Sequence, residues 1–218
     1  MALQKVKVAV LISGRGSDLQ ALLDAATDPA YPAEIVLVIS NIAGAYGLEC
    51  AAKAGVPTLT IEHKAYPSRE AFDAEMDKHI RAAGAELICL AGFMRLLSKD
   101  FSEAWNGRML NVHPALLPSF KGLHTHRKAI EAGVKLHGCT VHFVTPELDD
   151  GPIIVQAAVP VLPDDDEDSL AARVLEQEHK AYPLALKLVA EGRVRLEGRV
   201  AKVAGAADPG NRLLFPAG

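Results

Sequence analysis

The stretch Lys5-Val6-Lys7-Val8-Ala9-Val10-Leu11-Ile12-Ser13-Gly14-Arg15-Gly16-Ser17-Asp18-Leu19-Gln20 carries an apolar run straight into a glycine turn and then into a helical pattern. The aliphatic residues over 5–12 read as a buried strand. Two glycines punctuate the chain, and Ser17 with Gln20, at capping-box spacing, opens a helix over 17–26. The same alternation continues with a strand over 33–40, a helix over 47–54, a strand over 58–61, a helix over 69–83 and a strand over 87–91. Strands separated by helical crossovers pair in parallel through right-handed connections. The expected architecture is therefore Rossmann-like α/β: a mostly parallel central sheet with helices on both faces.

The glycine turn also limits the ligand. Leu19 occupies the place of the third glycine of a dinucleotide fingerprint, and no Gly-Lys-Ser/Thr follows, so neither an NAD nor an ATP site is supported. What remains is a candidate anion site, with close backbone approach at the glycines and the free N–H groups of a helix start. A turn that merely caps the helix fits the same residues.

Working outward, Arg108-Met109-Leu110-Asn111-Val112 reads as another strand, followed by a loop over 113–123 that holds Pro114, Pro118 and Gly122, and a short helix over 125–132. Strand-like runs over 139–144 and 152–159 lie too close together for a helical crossover, which predicts an antiparallel hairpin and a mixed sheet. A long helix over 167–190 closes the fold, and past Gly192 a short strand and then frayed chain are expected. The organisation expected is one domain over 1–195 and a C-terminal tail over 196–218.

With 218 residues, 50% hydrophobic and 23% charged, the composition suits one globular domain and excludes a disordered or collagen-like chain. No apolar run approaches the roughly 20 residues of a membrane span. The N-terminus enters the first strand without a signal-cleavage pattern, so a cytoplasmic protein with no membrane partner is expected. A net charge of −4 and 5% aromatics leave little material for a nucleic-acid surface. The acidity is local: 164–168 holds five consecutive carboxylates, and without them the 27 acidic residues would fall one short of the 23 basic ones. Standing just before the long helix, that run complements the helix dipole. Cys50, Cys89 and Cys139 are distant and odd in number, which argues for buried small hydrophobes rather than a disulfide framework or zinc site.

Three motifs bear on chemistry. Asn111-Val112-His113-Pro114 lies at the C-terminal end of a buried strand, where open α/β sheets bind ligands. Period-two alternation places Asn111 and His113 on one face, where a carboxamide and an imidazole could serve as oxyanion donors for an acyl carbon; a histidine that only hydrogen-bonds at a strand end fits the same position. Glu147-Leu148-Asp149-Asp150-Gly151-Pro152 is a hairpin loop with three carboxylates, one of which could keep His113 charged; turn formation alone accounts for the same residues. His124-Thr125-His126 lacks the spacing and companions of a metal site, and Ser13 and Ser17 sit in no nucleophile elbow.

Taken together, Asn111-Val112-His113-Pro114, Leu116-Leu117-Pro118 and Leu148-Asp149-x-Gly151-Pro152 resemble the signature of the 10-formyltetrahydrofolate-dependent formyltransferases. The resemblance narrows to the phosphoribosylglycinamide formyltransferases of purine synthesis. Ile12-Ser13-Gly14-x-Gly16-Ser17, Ala91-Gly92-Phe93-Met94-Arg95, Gly122-Leu123-His124-Thr125-His126 and Gln177-Glu178-His179 follow their pattern in order over about 5–195. It implies transfer of a formyl group from the co-substrate 10-formyltetrahydrofolate, without a metal, to the amine of N1-(5-phosphoribosyl)glycinamide. By the same resemblance, Asn111, His113 and Asp149 would be catalytic, while Gly16, Ser17, Asp18 and Glu178 would bind the ribonucleotide. Arg69, Met94, Arg95, Leu96, Leu97 and Asn111 would contact the folate. The partners implied are small-molecule substrates, with no nucleic acid and no membrane, and a homodimer is left open. The family usually carries Asn where this chain has Asp18, a carboxylate that would repel a phosphate. Arg15 is a candidate to offset that charge or touch the phosphate. The rival expectations are a hydrolase of 10-formyltetrahydrofolate, another amine formyltransferase of the same fold, and a non-catalytic sugar-phosphate-binding module.

Overall fold

In the computed structural model, which describes residues 4–206 and 210, Val6–Ile12 forms β1. Its alternation serves two cores. Val8, Val10 and Ile12 face one side with Leu19 and Leu22, while Ala9 and Leu11 face the other with Phe72, Met76 and Ile80. A strand apolar on both faces belongs inside a sheet covered on both sides, the architecture the sequence predicts.

Helix α1 (Ser17–Ala26) leads to β2 (Ala33–Ser40), α2 (Tyr46–Lys53), β3 (Thr58–Thr60), a 3-10 turn over His63–Ala65, α3 (Arg69–Ala82) and β4 (Leu87–Leu90). The chain continues through α4 (Lys99–Ala104), β5 (Met109–His113), α5 (Thr125–Glu131), β6 (Leu136–Phe143), β7 (Ile153–Pro160) and α6 (Glu167–Ala190). Seven strands form one sheet in the order β3-β2-β1-β4-β5-β6-β7. All pairings are parallel as far as β5, and β6 runs antiparallel to both of its neighbours, so the expected mixed sheet is present. The strand order reverses between β1 and β4, which opens a crevice at their C-terminal ends.

Two elements differ from the expectation. Between 91 and 108 the sequence gives no regular element, yet α4 forms there. Its N-cap Ser98 accepts from Phe101 N at 3.3 Å, and the Ser98 N–H donates to the buried Asp73 carboxylate at 2.6 Å, so tertiary contact supports a helix too short to announce itself. Past Gly192, where one strand is expected, β8 (Val194–Glu197) and β9 (Val200–Val203) form a two-stranded antiparallel sheet of their own. The rest of the expected tail, 207–209 and 211–218, lies outside the described residues.

Helix α6 runs against the sheet with Leu170, Val174, Ala181, Tyr182, Ala185 and Leu186 buried. The Tyr182 hydroxyl lies 2.9 Å from Leu90 O and 3.1 Å from Leu110 O, fastening the helix to β4 and β5. The acidic run does cap this helix: Asp166 accepts from Ser169 N at 2.8 Å, while Asp165 pairs with Arg173 at 2.7 Å.

Candidate active site

Loops from β1, β2 and β4 are tied together at the crevice. Ser13 Oγ donates to Asn41 Oδ1 at 2.6 Å and accepts from Met94 N at 2.8 Å. Ser13, unassigned by sequence reasoning, is thus the hub that sets the 91–97 segment beside the glycine turn. Met94 and Leu96 are 69% and 56% exposed, and Arg95 is exposed beside them. Leu97 packs against the core below. Exposed aliphatic side chains above a fixed backbone edge suit a flat, partly apolar ligand.

At the start of α1 the expected Ser17–Gln20 capping box is absent. Gly16, in the left-handed region at φ 74, is the N-cap, and Gln20 donates its amide to Asp24 at 2.7 Å instead. A glycine N-cap brings no side-chain acceptor, and none caps α1, so the first-turn N–H groups are left for an external anion. Close packing requires this glycine as well. A Cβ on Gly16 would fall 2.7 Å from the Cα of Gly47, whose N–H donates to Gly14 O at 3.1 Å. Ser17 opens the helix and Arg15 is exposed beside the turn.

Asp18, in that first turn, has a buried Oδ1 with no hydrogen-bond partner. Burial raises its carboxyl to about 6, against the lowering effect of His179. Glu178 on α6 is 6% exposed, and burial together with the charge of Asp18 raises it to about 8. The structure therefore brings Asp18 and Glu178 together, as two acidic groups that resist ionising at once.

A second cluster forms where β5 meets β6. Asn111 stands opposite His142 and His113 opposite Thr140. His142 is 2% exposed, and its Nδ1–H donates to Phe143 O at 2.9 Å. Its Nε2 can then accept from Asn111 Nδ2 at 3.3 Å, and burial, the largest influence, lowers its pKa and favours this neutral ring. One Asn111 N–H is thereby fixed on His142 and the other remains for a ligand. His113 Nε2 donates to Phe120 O at 3.0 Å, leaving Nδ1 facing Asp149 Oδ2 at 3.4 Å. The Asp149 carboxylate also accepts from Gly122 N at 2.9 Å and lies 4.0 Å from His142 Nε2.

The loop after His113 is pinned in turn. Thr140 Oγ1 donates to Ala115 O at 2.7 Å and accepts from Leu117 N at 3.0 Å, while Gln156 Nε2 donates to Leu117 O at 2.9 Å. Asn111, His113 and Asp149 thus converge, as their spacing and turn chemistry allowed. Arg69 does not join them: it is the exposed first residue of α3, near Glu70 and Asp73, with no hydrogen bond or ion pair to the cluster among the described residues. Sequence reasoning missed His142, Thr140 and Gln156. Their contribution depends on the β5–β6–β7 register, which no local motif encodes.

This arrangement pairs an uncapped helix start with a carboxamide, an imidazole and a carboxylate around one crevice, the groups needed to hold an anion and stabilise a developing oxyanion. The formyl transferase family pattern matches residues 6–186. The chain is 47% identical to the phosphoribosylglycinamide formyltransferase of Escherichia coli, over 94% of this chain and 96% of that one. It is 56% identical to the trifunctional purine biosynthetic protein adenosine-3 of Drosophila pseudoobscura pseudoobscura over 91% of this chain, but spans only 15% of that relative's length. Among solved structures, glycinamide ribonucleotide transformylase 1 from Symbiobacterium toebii superposes with a TM-score of 0.90 at 50% identity, covering 92% of this chain and 94% of that one.

Proposed function

The chain belongs to the formyl transferase family, and from that membership we propose that it moves the formyl group of 10-formyltetrahydrofolate onto the primary amine of N1-(5-phosphoribosyl)glycinamide, in keeping with the names of its full-length relatives. The products are formylglycinamide ribonucleotide and tetrahydrofolate. The ribonucleotide phosphate sits on the uncapped N–H groups of Gly16, Ser17 and Asp18, with Glu178 beside it. The folate lies along Met94, Arg95, Leu96 and Leu97, and Arg69 and Asn111 complete its contacts.

The amine lone pair attacks the formyl carbon, and the carbonyl π pair moves onto oxygen. The resulting oxyanion takes the free N–H of Asn111 and, when the ring carries a second proton, shares the Nδ1–H of His113 with the Asp149 carboxylate. Because Nε2 is committed to Phe120 O, that proton belongs on Nδ1. Asp149, 3.4 Å away, pairs with the charge the ring then bears. Collapse breaks the bond from carbon to N10, which leaves with the electron pair and receives the proton given up by the amine, through Asp149 and an ordered water.

The observation that carries this reading is the convergence of Asn111, His113 and Asp149 beside an uncapped helix start. With 10-formyltetrahydrofolate and the ribonucleotide together, the protein should release tetrahydrofolate, followed by absorbance, and should release none when either is omitted. Release without the amine would make it a hydrolase; no release with both present would make it a binding module.

A further inference from the structure

The loop that carries Asp149 is held by contacts outside the reacting cluster. Asp149 adopts φ +48, a left-handed conformation that aspartate takes up more readily than most residues with a side chain. The following residue, Asp150, forms ion pairs with both Lys121 and Arg199, and Arg199 Nη2 also donates to Asp150 O at 3.2 Å. Lys121 adjoins Gly122, whose N–H holds the Asp149 carboxylate, and Phe120, whose carbonyl holds His113. Three consecutive residues of one loop thus grip the histidine and both aspartates.

Arg199 comes from the turn between β8 and β9, past residue 186 where the family pattern ends. The hairpin packs Val194 and Ala201 against the core and meets Asp150 through Arg199. A cavity of about 340 Å³ lined by Pro118, Asp149, Asp150, Gly151, Arg199 and Val200 adjoins the ion pair. Lys121 first and Arg199 second hold the Asp150 carboxyl down to about 2, keeping it ionised at neutral pH.

We propose that Asp150 is a positioning residue: clamped between Lys121 and Arg199, it fixes Asp149 against His113 and so supports turnover without touching substrate. The proposal rests on the reading above that Asp149 and His113 act in formyl transfer. It is tested on the full chain with both substrates. Asp150→Asn should lower kcat about three- to tenfold while the KM for the ribonucleotide and the melting temperature stay unchanged, because neither Asp150 nor its partners Lys121 and Arg199 is among the residues proposed to bind the ribonucleotide. Arg199→Gln should cost about twofold, as suits one exposed pair, and Arg199→Lys should restore turnover. In an Asp149→Ala background, adding Asp150→Asn should cost nothing more, since its effect runs through Asp149.

Unchanged kcat in Asp150→Asn, a loss that adds fully to that of Asp149→Ala, or a loss accompanied by a lower melting temperature would overturn the clamp. Wild-type turnover by Asp149→Ala would overturn the catalytic reading and the clamp with it, whereas loss in Asp149→Ala alone removes only the clamp.

Discussion

Asn111 and His113 stand two residues apart on one strand, so alternation alone places their side chains on one face, and that much of the site is legible from the motif. What each atom does is not. His113 commits Nε2 to a backbone carbonyl and Asn111 commits one N–H to His142, and both commitments come from residues 7 and 31 positions away in sequence. Asp149 is harder still to place from sequence. Strand β6 ends beside Leu110, whereas His113 pairs with Thr140, so the 144–152 loop must fold back to bring the carboxylate to the imidazole. Turn-forming residues announce the loop but not its direction. If the assignment of roles is right, His113→Ala and Asp149→Ala should each lower kcat by on the order of 10² to 10³, the usual cost of losing one such electrostatic contribution. The check is steady-state turnover with both substrates saturating, together with circular dichroism to show that the variants fold; wild-type kcat in either would sink the corresponding role.

At the scale of elements, the strand–turn–helix rhythm is readable because both faces of β1 are apolar and both crossovers around it are helical. The elements that elude sequence reading are short and held by distant partners: α4 by Asp73, and the β8–β9 hairpin by the core under Ala201 and by Asp150 at Arg199. The start of α1 shows how a motif can mislead. Serine and glutamine at capping-box spacing predict a box, yet Gly16, in close contact with α2, is the N-cap, while the helix starts at Ser17 as expected. That contact is testable from the α2 side. A Cβ on Gly47 would fall 2.6 Å from Ile12 Cδ1 and 3.2 Å from Gly16 Cα, without any positive φ at Gly47. The penalty for Gly47→Ala is therefore one of overpacking rather than backbone strain, about 1–3 kcal/mol in urea titration. Because the displaced atoms include Gly16, in the turn proposed to hold the phosphate, the ribonucleotide KM should rise while the folate KM holds. An unchanged unfolding midpoint would show that the two helix starts can part without cost.

Over the whole molecule, buried ionisable groups pull stability in opposite directions with pH. His126, His137 and His142 all have lowered pKa values, chiefly through burial, with His137 at about 4. The folded state therefore binds fewer protons than the unfolded one as pH falls below about 6.5, and stability drops on that side. Asp18 and Glu178 do the reverse. Their carboxyls rise from 3.8 to about 6 and from 4.5 to about 8, so the folded state holds protons that the unfolded chain has already lost. Their contribution is complete below pH ~4 and disappears as pH climbs through about 6 and then about 8. Above pH 6.5 the histidine effect is spent while Glu178 and the upper end of the Asp18 range still titrate, joined only toward pH 9 by the buried thiols of Cys89 and Cys139; His179 eases the ionisation of Asp18. The melting temperature of the ligand-free protein should thus fall by several degrees between pH 6.5 and 9, at roughly 2–4 °C per kcal/mol lost for a chain of this size. In Asp18→Asn and Glu178→Gln the limb should flatten, making each variant more stable than the wild type at pH 9 but not at pH 5. Parallel melting curves for variants and wild type across that range would mean that Asp18 and Glu178 ionise without penalty, and that this buried pair is not the proton-holding site its burial implies.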